Sequence, residues 1–474
     1  MFAVMLLICT SIAFVSVALL SGRKALLALV FLYGVYPRLL AVGIGEQGFA
    51  LTGPRLFLVL LCGIYFARLV LNSTEEWNGL RRFFKHRSLV FGLILLVVAK
   101  VCGNLLTQRF DIASLGALII ELLFVVFIPV LVVTYAKSIG DIYKILVCLA
   151  AAVAVNEIAV AVELWRGGSI FSGLVEVQYQ TGVDLDLTQG RMRDGTYRAM
   201  GLTHNPLALA RLLCIALPGL MILAFGSVTV RTRGLAMFAL LLLLPAMLLT
   251  QARAGFAVAT ALILYAALHV VSGRLSKRLR FAVLSVVACG IAGIAYLALD
   301  NIVSLVSSVG GFQGVRSAES RVSQYIVAAP LLQSSPWFGF GFARNYDVLL
   351  DIGNVDGHYL FTALQGGAVG LLCFVWIIIK ALIYTRNRQQ DAHLSRRAAG
   401  WAVRTTLVAM SALMVVYSMH GTIAYVYVFV GLAMVLYQSG MSEPGAYPVD
   451  ASAVRRPKSN GLLPGGREGL FNSG

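Results

Sequence analysis

Charge is scarce in this chain. Asp, Glu, Lys and Arg make up 12% of its 474 residues, about half the share found in a soluble domain. Hydrophobic residues make up 59% and mean hydropathy is +0.85, so a soluble globular fold is excluded. Paired cysteines are missing too. Cys9, Cys62, Cys102, Cys148, Cys214, Cys289 and Cys373 all lie in apolar runs, and none forms a CxxC pair. They read as small packing residues, not as a disulfide framework or a thiolate metal site. No GxxxxGK[ST] phosphate loop occurs, which argues against a built-in nucleotide engine. No basic segment precedes the first apolar run, Phe2–Leu20, while Arg23 and Lys24 follow it. That run reads as a retained helix, not a cleaved leader.

What the chain does have is a series of long, continuously apolar runs. Their continuity argues against a β-barrel, which would alternate. The spans read as 2–21, 25–44, 55–71, 88–106, 114–135, 142–165, 206–226, 235–251, 255–272, 281–299, 358–384, 401–419 and 422–438, each long enough to cross about 30 Å of hydrocarbon. The expected fold is all-α: a polytopic transmembrane helical bundle of about 12–14 spans with a large, partly helical outer loop. The net charge of +17 does not point to nucleic acid, because Lys and Arg gather in short loops between spans, where they set topology. Arg23 with Lys24, Arg81 to Arg87, Lys137, Arg231 with Arg233, Arg274 to Arg280 and Arg386 to Arg397 all count to one side. That side is expected to be the cytoplasm. The expected division is a membrane domain over 1–437, with loops 166–205 and 300–357 on the opposite, periplasmic face. A cytoplasmic tail over 438–474, rich in Pro, Gly, Ser and Arg, is expected to be disordered.

The segment 300–357 is polar and rich in Gly and Ser. A loop that long usually binds or catalyses. Four short blocks lie on or beside the outer face. The first is Tyr197-Arg198-Ala199-Met200-Gly201-Leu202-Thr203-His204-Asn205-Pro206. Asn205 can cap the helix that Pro206 opens, and Arg198 can line an anion-binding rim there. A plain loop-to-helix junction fits equally well. Arg211 lies inside that helix. It either pairs with Glu157 or Glu163 of the preceding span or faces a ligand phosphate. The second block, Leu249-Thr250-Gln251-Ala252-Arg253-Ala254-Gly255, puts Arg253 on a very short turn. Its planar fork suits two phosphate oxygens, although snorkelling to a lipid headgroup is the simpler reading. In the third, Arg321 heads a short surface helix that runs into Pro336-Trp337-Phe338-Gly339-Phe340-Gly341; Arg321 can also simply pair with Glu319. The fourth is Asp356-Gly357-His358-Tyr359-Leu360, running into Gly366, Gly367 and Gly370. His358 there marks the outer end of a helix, where an imidazole can take a proton or serve structure alone.

Taken in this order, the blocks resemble the O-antigen ligase and O-antigen polymerase family of membrane glycosyltransferases. The matching pieces are RxxGLxxNP (Arg198 to Pro206), LTxxRxG (Leu249 to Gly255), R-x11–15-PWxGxG (Arg321 to Gly341) and (H/D)xxYL-x6-GxxG from Asp356. The resemblance covers about residues 195–375, and the region before it is similar only in being hydrophobic. It implies that Arg253 and Arg321 clamp the diphosphate of a polyprenyl-diphosphate-linked glycan donor, and that His358 or Asp356 activates the acceptor hydroxyl. The family's His position falls on Asp356. Arg198, Asn205, Arg211 and Tyr359 are the accompanying candidates for substrate binding.

The implied partners are the donor, a glycan acceptor (a lipid-linked repeat unit or lipid A core), membrane lipid and a chain-length regulator. No cofactor is implied, and no metal. Polymerisation of repeat units at the inner membrane is the favoured activity, with ligation to lipid A core second. The rival from another class is a secondary transporter or flippase. For it speak Lys100, Glu121, Glu157, Glu163 and Arg211 inside spans; against it, no repeated halves are seen.

Overall fold

The computed structural model describes residues 2–37, 41–44, 49–107, 112–170, 192–193, 196–203, 205–226, 228–272, 311–341, 355, 357–386, 394–419 and 421–439. In chain order the helices are α1 (Phe2–Leu20), α2 (Gly22–Val35), α3 (Gly53–Val70), α4 (Thr74–Phe84), α5 (Arg87–Leu106), α6 (Ile112–Leu122), α7 (Ile128–Tyr135), α8 (Ile139–Arg166) and α9 (Pro206–Phe225). They continue as α10 (Val230–Thr250), α11 (Arg253–Ser272), α12 (Gly311–Ser334), α13 (His358–Tyr384), α14 (Leu394–Val416) and α15 (Ile423–Ser439). Two small antiparallel hairpins accompany them: β1 (Ala41–Ile44) with β2 (Phe49–Thr52), and β3 (Met192–Arg193) with β4 (Thr196–Tyr197).

The chain is thus an all-α, polytopic helical membrane protein. Among the described residues eight helices are long and apolar enough to cross a bilayer, and three shorter apolar helices join them. Twelve of the thirteen expected spans coincide with a helix, and the other, 281–299, lies outside the described residues. So does the tail from residue 440. The expected span 25–44 needs correction: α2 stops at Val35, and the chain turns into the β1–β2 hairpin. Pro37 gives the reason, because the residue before a proline is pushed out of the helical region; Tyr36 sits at φ −68°, ψ 125°. The segment 74–84, expected to be loop, is an amphipathic helix too short to span.

Between α6 and α7 the helix widens into one π turn over Leu123–Phe127, just before Pro129. One apolar core runs through nearly the whole bundle. Its centre is α9, packed on α8, α10, α11 and α14. A satellite cluster of Ala328, Val355, Leu360 and Leu364 joins α12 to the start of α13.

Candidate functional site

The first and second blocks are bound to each other through main-chain groups. The Ala199 N–H donates to the Leu249 carbonyl at 2.9 Å. The Arg198 guanidinium Nε donates to the Thr250 carbonyl at 3.0 Å. A cation thereby sits on the C-terminal carbonyls of α10, where the helix end favours it. Gln251 then takes the left-handed conformation, φ 52°, and Arg253 opens α11 two residues on. Arg253 is exposed and makes no ion pair among the described residues. It stands at a helix N-terminus, the end that attracts anions.

The first block is held from below by α8. Glu163, fully buried, accepts the N–H groups of Met200 and Gly201, both at 2.9 Å. Asn156 accepts the Leu202 N–H at 3.1 Å and donates to the carbonyls of Gly34 and Ala152. Asn205 caps α9 as expected, its side chain accepting the Leu207 N–H at 2.6 Å. Burial first, and the Glu163 carboxylate second, push the Tyr197 hydroxyl above its ordinary range, which keeps it neutral.

The third and fourth blocks interlock. Gly367 sits at φ 61°, ψ −159° inside α13, and the chain reverses there. His358 and Tyr359 pack on Phe374 with ring centroids 5.3 and 6.0 Å apart; in a straight helix a separation of sixteen residues would span roughly 24 Å. The reversal frees carbonyls at the end of the first half and N–H groups at the start of the second. The turn over residues 336–341 satisfies both. Phe340 and Gly341 donate to the carbonyls of Leu364 and Gln365, each at 2.8 Å, while Ala368 and Val369 donate to those of Pro336 and Trp337 at 2.8 and 3.1 Å. Such close main-chain contact requires glycine. Gly339 and Gly341 have positive φ, and a Cβ on Gly367 would collide with the Trp337 carbonyl. Gly103 and Asn104 of α5 press on the far side of the same turn.

A fifth segment, not singled out in the sequence, ties the two pairs together. The Met419 N–H donates to His358 Nδ1 at 3.4 Å. Gly421 and Thr422 line a crevice with Leu202 and Thr203 of the first block and with Tyr33, Gly34 and Tyr36 at the end of α2. The second block is thus bonded to the first, the first shares a crevice with the 419–422 turn, and that turn is bonded to the fourth, which interlocks with the third.

Several expectations change. His358 opens α13 as expected, but it is buried there against Phe361 and Phe374. Glu163 is committed to main-chain N–H groups, and no ion pair joins Arg211 to Glu157 or Glu163 among the described residues. Arg211 is buried, with its Nε on the Leu207 carbonyl at 3.1 Å. The Tyr359 hydroxyl donates to the Ser411 carbonyl at 3.3 Å, a bond between helices. Lys100 and Glu121 pair at 2.5 Å. Arg321 falls on α12 one turn before Gln324 and Tyr325, and its side chain lies outside the described residues, as does all of Asp356. The signals that mark the missed features are the Gly366-Gly367 pair inside an apolar run and a carboxylate, Glu163, one turn from the end of a span.

Residues 238–375 match the family model described as O-antigen ligase. That stretch holds the second, third and fourth blocks, and it supports the resemblance read from the sequence. No curated protein matches the chain.

Proposed function

We propose that this chain, which carries the O-antigen ligase-like stretch, is an inner-membrane glycosyltransferase working at the periplasmic face. It polymerises polyprenyl-diphosphate-linked repeat units into a surface polysaccharide or exopolysaccharide. In the step we assign to it, the acceptor hydroxyl loses its proton and attacks the anomeric carbon of the donor. The bond from that carbon to the diphosphate oxygen breaks, and polyprenyl diphosphate leaves with the charge. Guanidinium groups stabilise that charge where it develops: Arg253 and Arg321 as the clamp, with Arg198 beside Arg253. The reading places no metal in the step.

The supporting observation is that the main chain bonds the first block to the second and the third to the fourth, with Arg253 exposed beside the first pair. Between the two base candidates, the contacts of His358 favour Asp356. An imidazole whose Nδ1 accepts the Met419 N–H carries its proton on Nε2 when neutral, which leaves no free nitrogen to take another. His358 then positions the segment, and the Asp356 side chain takes the proton.

The family description favours a second reading, transfer of the glycan to lipid A core. Purified protein given a lipid-linked repeat unit as its only glycan decides between them. Elongation is the expected result; product formed only after core lipid A is added overturns polymerisation in favour of ligation.

A further inference from the structure

On the side of the basic loops, α4 carries a preformed groove. Its inner face (Glu76, Gly79 and Phe83) is buried against α3 and α7. The opposite face presents Trp77, Leu80, Arg81 and Phe84, and with Lys85 and Arg87 these residues line one cavity. Trp77 and Phe84 are 43% and 51% exposed. The Trp77 indole is nevertheless fixed, because its Nε1 donates to the Leu69 carbonyl at 3.1 Å.

The charge balance around the groove is one-sided. The neighbouring carboxylates are already engaged: Glu75 with Lys137, Glu76 with Arg68, and Asp141 with Arg23. Arg81, Lys85 and Arg87 make no ion pair among the described residues. Three cations without acidic partners therefore share a cavity with two exposed aromatic rings. The groove also lies at the bilayer surface, since α3 ends and α5 begins beside it. Val70 and Leu71, next along the chain from the Leu69 carbonyl that holds Trp77, are 79% and 80% exposed. A soluble partner in the groove would leave those apolar side chains wet, whereas acyl chains cover them.

We propose that this groove binds an anionic diacyl phospholipid of the adjoining leaflet. Arg81, Lys85 and Arg87 hold its phosphate, and Trp77 and Phe84 pack against its glycerol and upper acyl chains. Aromatic rings at the interface with basic residues beside them suit such a ligand. The inference stands apart from the glycosyltransferase reading, for it needs only a membrane protein with this helix.

The test is native mass spectrometry of the full chain released from detergent micelles doped with phosphatidylglycerol or phosphatidylcholine. Wild-type protein is expected to retain phosphatidylglycerol in preference. Neutralising Arg81→Gln, Lys85→Gln and Arg87→Gln one at a time should weaken retention roughly fivefold each, the effect of about one basic residue near an anionic surface. Arg231→Gln with Arg233→Gln, also basic and on the same side but outside the groove, should change nothing. Equal loss in that control would reduce the effect to diffuse surface charge and overturn the site. Displacement of the lipid by millimolar glycerol phosphate would make it a free-phosphate site and likewise overturn the proposal. Unchanged lipid retention in folded groove variants would do the same.

Discussion

On the side where the basic loops gather, charged side chains make the joins. Arg23 pairs with Asp141, Arg68 with Glu76 and Lys137 with Glu75, and a Ser138–Asp141 capping box starts α8. On the opposite side main-chain groups do that work: residues 199 and 249, 340 and 364, 341 and 365, 368 and 336, and 369 and 337 are all joined N–H to carbonyl. The difference bears on the cations at the joins themselves. Where carboxylates do the joining, the cations that they meet are neutralised. Where the main chain does it, a guanidinium such as Arg253 reaches the surface with its charge unspent. The diphosphate site proposed above uses the second kind of surface.

The contrast can be broken at its strongest point first. Gly367→Ala adds a Cβ against the Trp337 carbonyl in a conformation L residues rarely adopt. Strain and clash together are expected to cost about 3 kcal/mol or more, read as loss of monodisperse protein and a fall in thermal midpoint. Normal yield and midpoint would mean the interlock is not structural. Next, Arg253→Ala should lower elongation of a lipid-linked repeat unit by roughly 100-fold or more, as loss of a charge-stabilising donor does, with an unchanged midpoint. Activity within a few-fold of wild type would remove Arg253 from the site. Third, Glu163→Ala leaves the Met200 and Gly201 N–H groups without their acceptor. The expected loss of stability is about 1–3 kcal/mol, measured by thermal unfolding in detergent, and elongation should fall with it because the block that carries Arg198 loses an anchor. The smallest effect belongs to the basic side. Lys137 and Glu75 are about half exposed, so Lys137→Ala should shift stability by under about 1 kcal/mol. A larger shift would say that the two faces are not so differently built.

Much of this was open to reading from the chain. Apolar runs report helices directly, and a proline or asparagine at the right place reports an end, as Pro206 and Asn205 do. Composition also marked the four blocks, because polar and Gly-rich stretches stand out against oil. What the sequence concealed was direction. The run 358–384 has the hydropathy of one span, and nothing in an average distinguishes a crossing from a dip and return. Only the positive φ of Gly367 and the loop that seals it do so. Helix α4 escaped for the opposite reason: its charged residues lowered the hydropathy, while its period still placed Glu76, Gly79 and Phe83 on one buried face. Of the two readings of Arg211, a pair with Glu163 was not open, because main-chain N–H groups had already claimed that carboxylate.

The folded-back half of α13 has a bearing on hydration. Phe374 lies seven residues beyond the reversal, roughly 10 Å along the helix axis, and His358 rests against it. The short arm therefore runs back beside the long arm, and its start meets the turn between α14 and α15. Irregular backbone within a membrane is tolerated only where protein or water surrounds it. On the proposed reading, an acceptor hydroxyl that reaches the start of the short arm arrives through a wetted vestibule and not through lipid.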